Sequence, residues 1–235
     1  MFKHTIALVG LSVLTLSANA ALYDRGGGMI YDSELNITWL QDANYAKTQH
    51  TATNGSQGAA NGLMTWTAAK TWAANLSYGG YNNWRLPSAN LINGANPCTA
   101  YNGSCDTGWN IKRSELGHMF FNNLANLSSH DVNGFWQSGS GVMNRSFDDG
   151  GNGSNVSISN LDNSIYWFDE EYAPDTDRAW TLFTSMGWQV DLGKSSTVLS
   201  WAVRDGDVSP VPVPGAAWLL GTALLGLAGM KRGYR

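Results

Sequence analysis

Five carboxylates crowd nine residues of this chain: Asp169, Glu170, Glu171, Asp175 and Asp177. Calcium takes about six to eight oxygens, mostly carboxylate and carbonyl, often supplied by loops. The run is therefore the candidate cation site, with calcium as the candidate cofactor. Its spacing is not that of an EF-hand, and a solvated acidic loop is the plain alternative. Asp148, Asp149 and Asn152 form a smaller group of the same kind. Nucleophile chemistry is poorly furnished. Ser138-Gly139-Ser140-Gly141 lacks the leading glycine of a nucleophile elbow. His50, His118 and His130 are scattered, and none has the partner spacing of a zincin helix. No catalytic residue is assigned, and an enzyme acting on envelope polymers is the lesser alternative.

The two ends of the chain say where such chemistry would take place. Lys3 and His4 precede an apolar run to about Leu16, followed by Ser17-Ala18-Asn19-Ala20. That is the pattern of a signal peptide over residues 1–20, read by signal peptidase after Ala20. At the other end, Gly215 to Met230 carries no charge, and Lys231, Arg232 and Arg235 follow. Together with Val211-Pro212-Val213-Pro214 this stretch just reaches bilayer length, which predicts a transmembrane helix at about 212–230. The positive-inside rule puts the basic end in the cytoplasm and the body outside.

Composition bounds that body. Lys3, Lys231, Arg232 and Arg235 fall in the ends, so ten of the 14 Lys and Arg remain against all 18 Asp and Glu. A body so acidic is a poor partner for nucleic acid, whose phosphates need clustered Lys and Arg. Residues 21–208 suit one domain with an adequate core. Cys98 and Cys105 are the only cysteines. An even count in an exported chain reads as one disulfide. Closing so short a loop contributes about 2–3 kcal/mol. Eleven tryptophans are many for 235 residues. A pyranose face stacks on tryptophan, and large rings equally fill gaps in a loop-rich core.

The elements that would position these groups follow from periodicity and breakers. Tyr23 to Gly28 reads as a turn, with Met29–Asp32 and Thr38–Asp42 as strands. Residues 47–62 read as a mobile polar loop. Met64 to Leu76 reads as a helix capped by Thr65, with Ala68, Ala69, Trp72, Ala73 and Leu76 at helical spacing. Gly79-Gly80 stops it. Residues 91–110 form the disulfide loop, and Ser114 caps a second helix to Leu124. Strands are expected at Ile165–Phe168, Trp180–Phe183, Trp188–Asp191 and Val198–Arg204. Helices early and strands late, with long connections, give an α+β fold: two helices, a small twisted, mainly antiparallel sheet and long loops. Arg85, set among apolar neighbours, is expected to pair with a carboxylate or backbone carbonyls, and Arg204 to do the same. Trp39, Trp84 and Trp201 are expected in the core. Tyr81 and Asn82, in a turn, are candidates for ligand contact.

Two resemblances come from these residues. Val211, Pro212, Val213 and Pro214, the hydrophobic stretch and the basic cluster with Lys231 and Arg232 resemble a PEP-CTERM sorting signal of the VPxP type, although Val213 stands where the commonest form has Glu. That likeness implies processing of residues 209–235 by an exosortase-type membrane protease, in a Gram-negative bacterium that makes exopolysaccharide. It also implies attachment to the periplasmic side of the membrane at least transiently, before the cell surface or extracellular matrix.

The body resembles the Lcl C-terminal domain of bacterial collagen-like adhesins. The likeness is carried by Leu35 to Tyr45 with Trp39, by Met64-Thr65-Trp66 with Trp72, and by Gly79-Gly80-Tyr81-Asn82-Asn83-Trp84-Arg85-Leu86-Pro87. Ser114-Glu115-Leu116 and Trp201-Ala202-Val203-Arg204 complete it. It implies a C-type-lectin-like fold. Some members of that family bind sulfated polysaccharide through basic surfaces, a preference that is not carried over to this acidic body. The expected role is a non-enzymatic, surface-associated binding module for extracellular polysaccharide. The alternative is a structural matrix or envelope protein.

Overall fold

The computed structural model describes residues 21–141 and 143–208. The signal peptide and the sorting tail, with its expected transmembrane helix, lie outside the described residues. Among the described residues no helix is long and apolar enough to cross a membrane.

The fold is α+β and dominated by strands. The first sheet is an antiparallel set of β1 (Leu22–Gly26), β2 (Met29–Asp32), β3 (Ile37–Leu40) and β11 (Val203–Asp205), so the last strand returns to pair with β3. The second sheet runs in the order β4 (Thr99–Ala100), β5 (Thr107–Trp109), β10 (Trp188–Gly193), β9 (Arg178–Phe183) and β8 (Ile165–Glu171). Only the β4–β5 pair in it is parallel. A hairpin of β6 (Ser146–Asp148) and β7 (Asn155–Ser157) stands apart. Three expectations are corrected by this topology. Tyr23 to Gly26 belongs to a strand, with only Gly27-Gly28 turning. The disulfide loop carries two short strands. The stretch expected as a strand from Val198 to Arg204 is a strand only at its end, because Val198 and Leu199 make single bridges to Met64 and Tyr166 instead.

The strand period of two sorts the second sheet's side chains onto two faces. Tyr166, Phe168, Trp180 and Leu182 enter the main core with Trp39, Trp201, Leu40 and Leu116. Trp167 and Ala179, on the opposite face, pack with Ala69 and Ala73 of the helix α2 (Trp66–Ala74). Trp39 and Trp201 pack with centroids 4.6 Å apart and planes tilted by 55°, and the Trp201 indole N–H donates to the Leu40 carbonyl at 2.6 Å. Burying such rings removes their large apolar area from water, which drives the collapse of this half of the molecule.

Among the described residues three helical segments are present rather than the two expected there. α1 (Tyr45–Ala52) takes up the first part of the stretch 47–62 expected to be a mobile loop, and the rest of that stretch is turns. It buries only Ala46, so its polar sequence carries almost no helical periodicity. α2 follows the expected helix: Thr65 accepts a hydrogen bond from the Ala68 N–H at 3.4 Å. Ala69, Ala73 and Leu76 are buried as the spacing requires, while Ala68 faces solvent. Ser114 caps the third segment through the Gly117 N–H at 3.1 Å. That segment begins as α3 (Glu115–Gly117) and widens into a π-helix at His118–Asn123. The wider turn lets His118, Met119, Phe120 and Phe121 all be buried in succession, which an α-helical stripe would not.

Cys98 and Cys105 are joined, with Cα atoms 5.1 Å apart. Their loop is anchored from within by the fully buried Asp106. Its carboxylate accepts from the Ile92 and Asn93 N–H groups and pairs with Arg113 at 2.6 Å. Replacing both cysteines by serine is expected to lower the free energy of unfolding by about 2–3 kcal/mol, the chain-entropy value for a short loop. Urea melts of the variant, and of the parent chain with reductant, measure it; matching midpoints are expected.

Candidate functional site

The register of the second sheet builds an aromatic ladder. Trp109 on β5 lies directly opposite Trp188 on β10, and Trp188 directly opposite Phe183 on β9. Directly paired residues of antiparallel strands project from the same face, so the rings meet. Trp109 and Trp188 stack at 5.6 Å with planes 11° apart, and Phe183 lies 5.3 Å from Trp188. The disulfide loop adds Tyr101, stacked on Trp109 at 4.7 Å and 17°. The His130 ring closes the group, 4.8 Å from Trp109 and 5.3 Å from Tyr101.

A tight loop, residues 129–137, is mounted on this ladder. Gln137 N–H donates to the Ser129 carbonyl, Asp131 N–H to Phe135 and Gly134 N–H to Asp131, at 2.9, 2.8 and 3.0 Å. The Asp131 carboxylate accepts from the Asn133 and Phe135 N–H groups, both at 2.9 Å. Gly134 has φ +87°, which favours glycine, and a Cβ there would stand 3.0 Å from the Tyr101 ring, which would have to shift to admit it. Asn110 ties loop to ladder: its amide N–H₂ donates to the Tyr101 carbonyl at 2.8 Å and to the His130 carbonyl at 2.9 Å.

The consequence is a pair of adjacent rings held out in water. Phe135 is 71 % exposed and Trp136 is 67 % exposed. Of the tryptophans in the described residues, Trp136 alone is exposed. His130 supports its ring edge-on at 5.5 Å. Val132, Leu127, Tyr101 and Met186 are exposed as well. Beside them runs a groove of about 390 Å³, lined by Asn110, Lys112, Leu127, Asp131, Val132 and Gln137 among others. Large apolar side chains exposed on a hydrogen-bonded loop contribute little to folding.

No family model, no curated protein and no solved structure matches this chain. The site is therefore read from its own geometry.

The Asp131 carboxyl is held below the usual carboxylate range, chiefly by the Phe135 N–H and further by that of Asn133. A depressed carboxylate contributes order that is complete above its ordinary pKa and lost as the pH falls through the folded value. Asp131→Ala is expected to speed amide exchange at Asn133 and Phe135 at neutral pH. The melting temperature should stay nearly constant, because the group is exposed. Asp131→Asn, which keeps an acceptor oxygen, is expected to retain most of the protection. Hydrogen exchange read residue by residue checks both.

The residues singled out by sequence lie elsewhere. The acidic run does not gather around one point. Asp169 pairs with Lys70 at 2.9 Å, and Glu171 with Lys194. The two lysines stand over the Trp66 ring at 4.7 and 4.4 Å. Glu170 is turned to Ser88 and to the Ala89 N–H. Asp175 accepts from the Asp177 N–H at 3.1 Å in the following turn. Among the described residues no three His, Cys, Asp or Glu side chains converge enough to hold a metal ion. Asp149 organises its own turn, accepting from the Asp24 and Gly151 N–H groups. Tyr81 lies under the Arg204 guanidinium at 4.1 Å, its carbonyl accepting from the Trp84 indole, and Asn82 is exposed.

The other residues of the resemblance motif are engaged within the fold. Trp39, Trp84, Leu86, Pro87 and Trp201 are buried. Trp66 and Trp72 donate indole N–H groups to the Phe168 carbonyl and to Gln49, at 2.9 and 2.8 Å. Gly80, at φ +84°, makes the turn. Arg204 holds Asn83 and the Asp207 carbonyl, both at 3.0 Å.

Burial pushes the Glu170 carboxyl above its ordinary range, against the pull of Ser88 and Ala89. A raised carboxyl gives the fold stability that is complete below the unfolded pKa, near 4.5, and lost as the pH rises through the folded value. Glu170→Gln is permanently neutral. Its stability relative to the parent chain is therefore expected to improve between pH 4 and pH 7. Urea midpoints at both pH values measure the change, and equal differences would refute it.

Proposed function

We propose that this chain is an exported, envelope- or surface-associated, non-enzymatic binding module for extracellular polysaccharide. The observation that carries the reading is the exposed Phe135–Trp136 pair on a loop whose backbone groups are already bonded. Sugars present flat C–H faces that stack on such rings, and a preformed loop loses little conformational freedom on binding. The long connections and small sheets fit a C-type-lectin-like arrangement, in which loops carry recognition. The signal-peptide pattern and the PEP-CTERM-like tail fit delivery by signal peptidase and an exosortase-type protease to the outside of a Gram-negative cell, with the membrane as an anchor at least for a time.

The test is saturable binding to a panel of immobilised polysaccharides, with and without calcium. Binding to at least one is expected. Silence across the panel by a folded protein would shift the reading to a structural matrix role.

A further inference from the structure

We infer that the aromatic loop takes an uncharged polysaccharide, by ring stacking and hydroxyl donation, and without a divalent ion. The inference rests on the glycan reading above and names the class of ligand.

The polar groups beside the two rings decide it. Asn110 spends both N–H donors on the Tyr101 and His130 carbonyls. Two carbonyl partners fix the orientation of the amide, so its oxygen is left as an acceptor. Gln137 is oriented in the same way, its N–H₂ donating to the Ser128 carbonyl at 3.1 Å. The groove thus offers two amide oxygens and the Asp131 carboxylate. Acceptors suit sugar hydroxyls, which donate, and repel carboxylate or sulfate groups, which only accept.

Charge points the same way. Lys112 is the single cation lining the groove and Asp131 its single carboxylate, so the lining carries no net charge. The neighbouring Arg113 is consumed by Asp106 and by the Asn90, Gly103 and Cys105 carbonyls. A uronate or sulfated chain would meet no cluster of Lys and Arg here. Calcium-bridged binding of sugar hydroxyls would need several free carboxylate oxygens at one point. The groove has one carboxylate, with one of its oxygens already accepting two N–H groups.

The experiment uses the full chain in a neutral detergent. The probes are neutral polysaccharides (xyloglucan, mixed-linkage glucan, galactomannan) against alginate and dextran sulfate, each with excess EDTA and at low and high salt. Binding to at least one neutral polymer is expected, unchanged by EDTA and by salt. Trp136→Ala should weaken it about tenfold or more, with Phe135→Ala as an independent second variant and melting curves as the check on folding. Lys47→Ala, on α1 and outside the groove lining, should leave it unchanged. Binding confined to alginate or dextran sulfate, and falling with salt, would overturn the inference while leaving the glycan reading in place. Loss of neutral-polymer binding in EDTA would overturn its metal-free part. Binding to no polymer would remove both readings together.

Discussion

Arg85→Ala is expected to be among the most damaging single substitutions, lowering the free energy of unfolding by about 3–5 kcal/mol. Its guanidinium makes two 2.8 Å bonds to the Glu115 carboxylate, a 2.6 Å bond to Asp205 and a 3.0 Å bond to the Leu86 carbonyl. Its backbone bridges to Val203, so one residue ties the start of α3, the extended run into Pro87 and the last strand. Burial opposes the charge on Arg85, but Glu115 first and Asp205 second outweigh it and raise its pKa further. The carboxylate of Glu115 is only 8 % exposed. Without Arg85 it would keep a single strong donor, the Ser88 N–H at 2.7 Å, and a buried charge with no counter-ion.

For a domain of this size the melting temperature should fall by about 10 °C. Arg85→Lys should recover little, because one ammonium cannot span both Glu115 oxygens in the planar fork. Arg85→Ala combined with Glu115→Gln should recover part of the loss by removing the stranded charge. A calorimetric series of the three variants tests this, and a fall of less than about 1 kcal/mol for Arg85→Ala would show the pair to be a solvated contact.

That hub was legible in sequence, and the reason it was legible explains what was not. An arginine inside an apolar run has few ways to exist, so the expectation of a carboxylate or carbonyl partner needed only its neighbours. Thr65, Ser114 and the cysteine pair were readable for the same reason: each acts within a few residues of itself.

The acidic run misled because nearness along a strand is not nearness in space. Alternation turns Asp169 and Glu171 toward Lys70 and Lys194, and Glu170 toward Ser88 and Ala89. Four of the five carboxylates therefore resolve into separate local pairings. α1 escaped because its Asn44 makes no side-chain cap and only Ala46 is buried, leaving neither a start signal nor a stripe.

The aromatic loop escaped more completely, since its ladder joins Tyr101, Trp109, His130, Phe183 and Trp188 from three separate stretches. Register alone aligns them, and register is not written in composition. One local signal was present. Asp131-Val132-Asn133-Gly134 is a turn sequence, Asp and Asn bonding their own backbone and Gly taking φ > 0. Two large rings set directly after such a turn, outside any periodic segment, have no core to enter.

Those two rings give the second large effect. Trp136→Ala is expected to reduce polysaccharide affinity by about ten- to a hundredfold, the range found for central aromatic anchors. Its melting temperature should stay within about 1 °C of the parent's, because a side chain 67 % exposed contributes little to folding. Phe135→Ala should act in the same direction. The doubly substituted chain tests whether the two rings act as one surface, since neighbours that grip one ligand give non-additive losses. Trp180→Ala supplies the contrast. That ring is fully buried, and its loss should cost about 3–5 kcal/mol of stability while leaving the loop's chemistry unchanged. The two tryptophans thus separate binding from folding: isothermal titration should respond to Trp136 and calorimetric unfolding to Trp180. If Trp136→Ala bound as tightly as the parent chain, recognition would have to move from the loop to another surface.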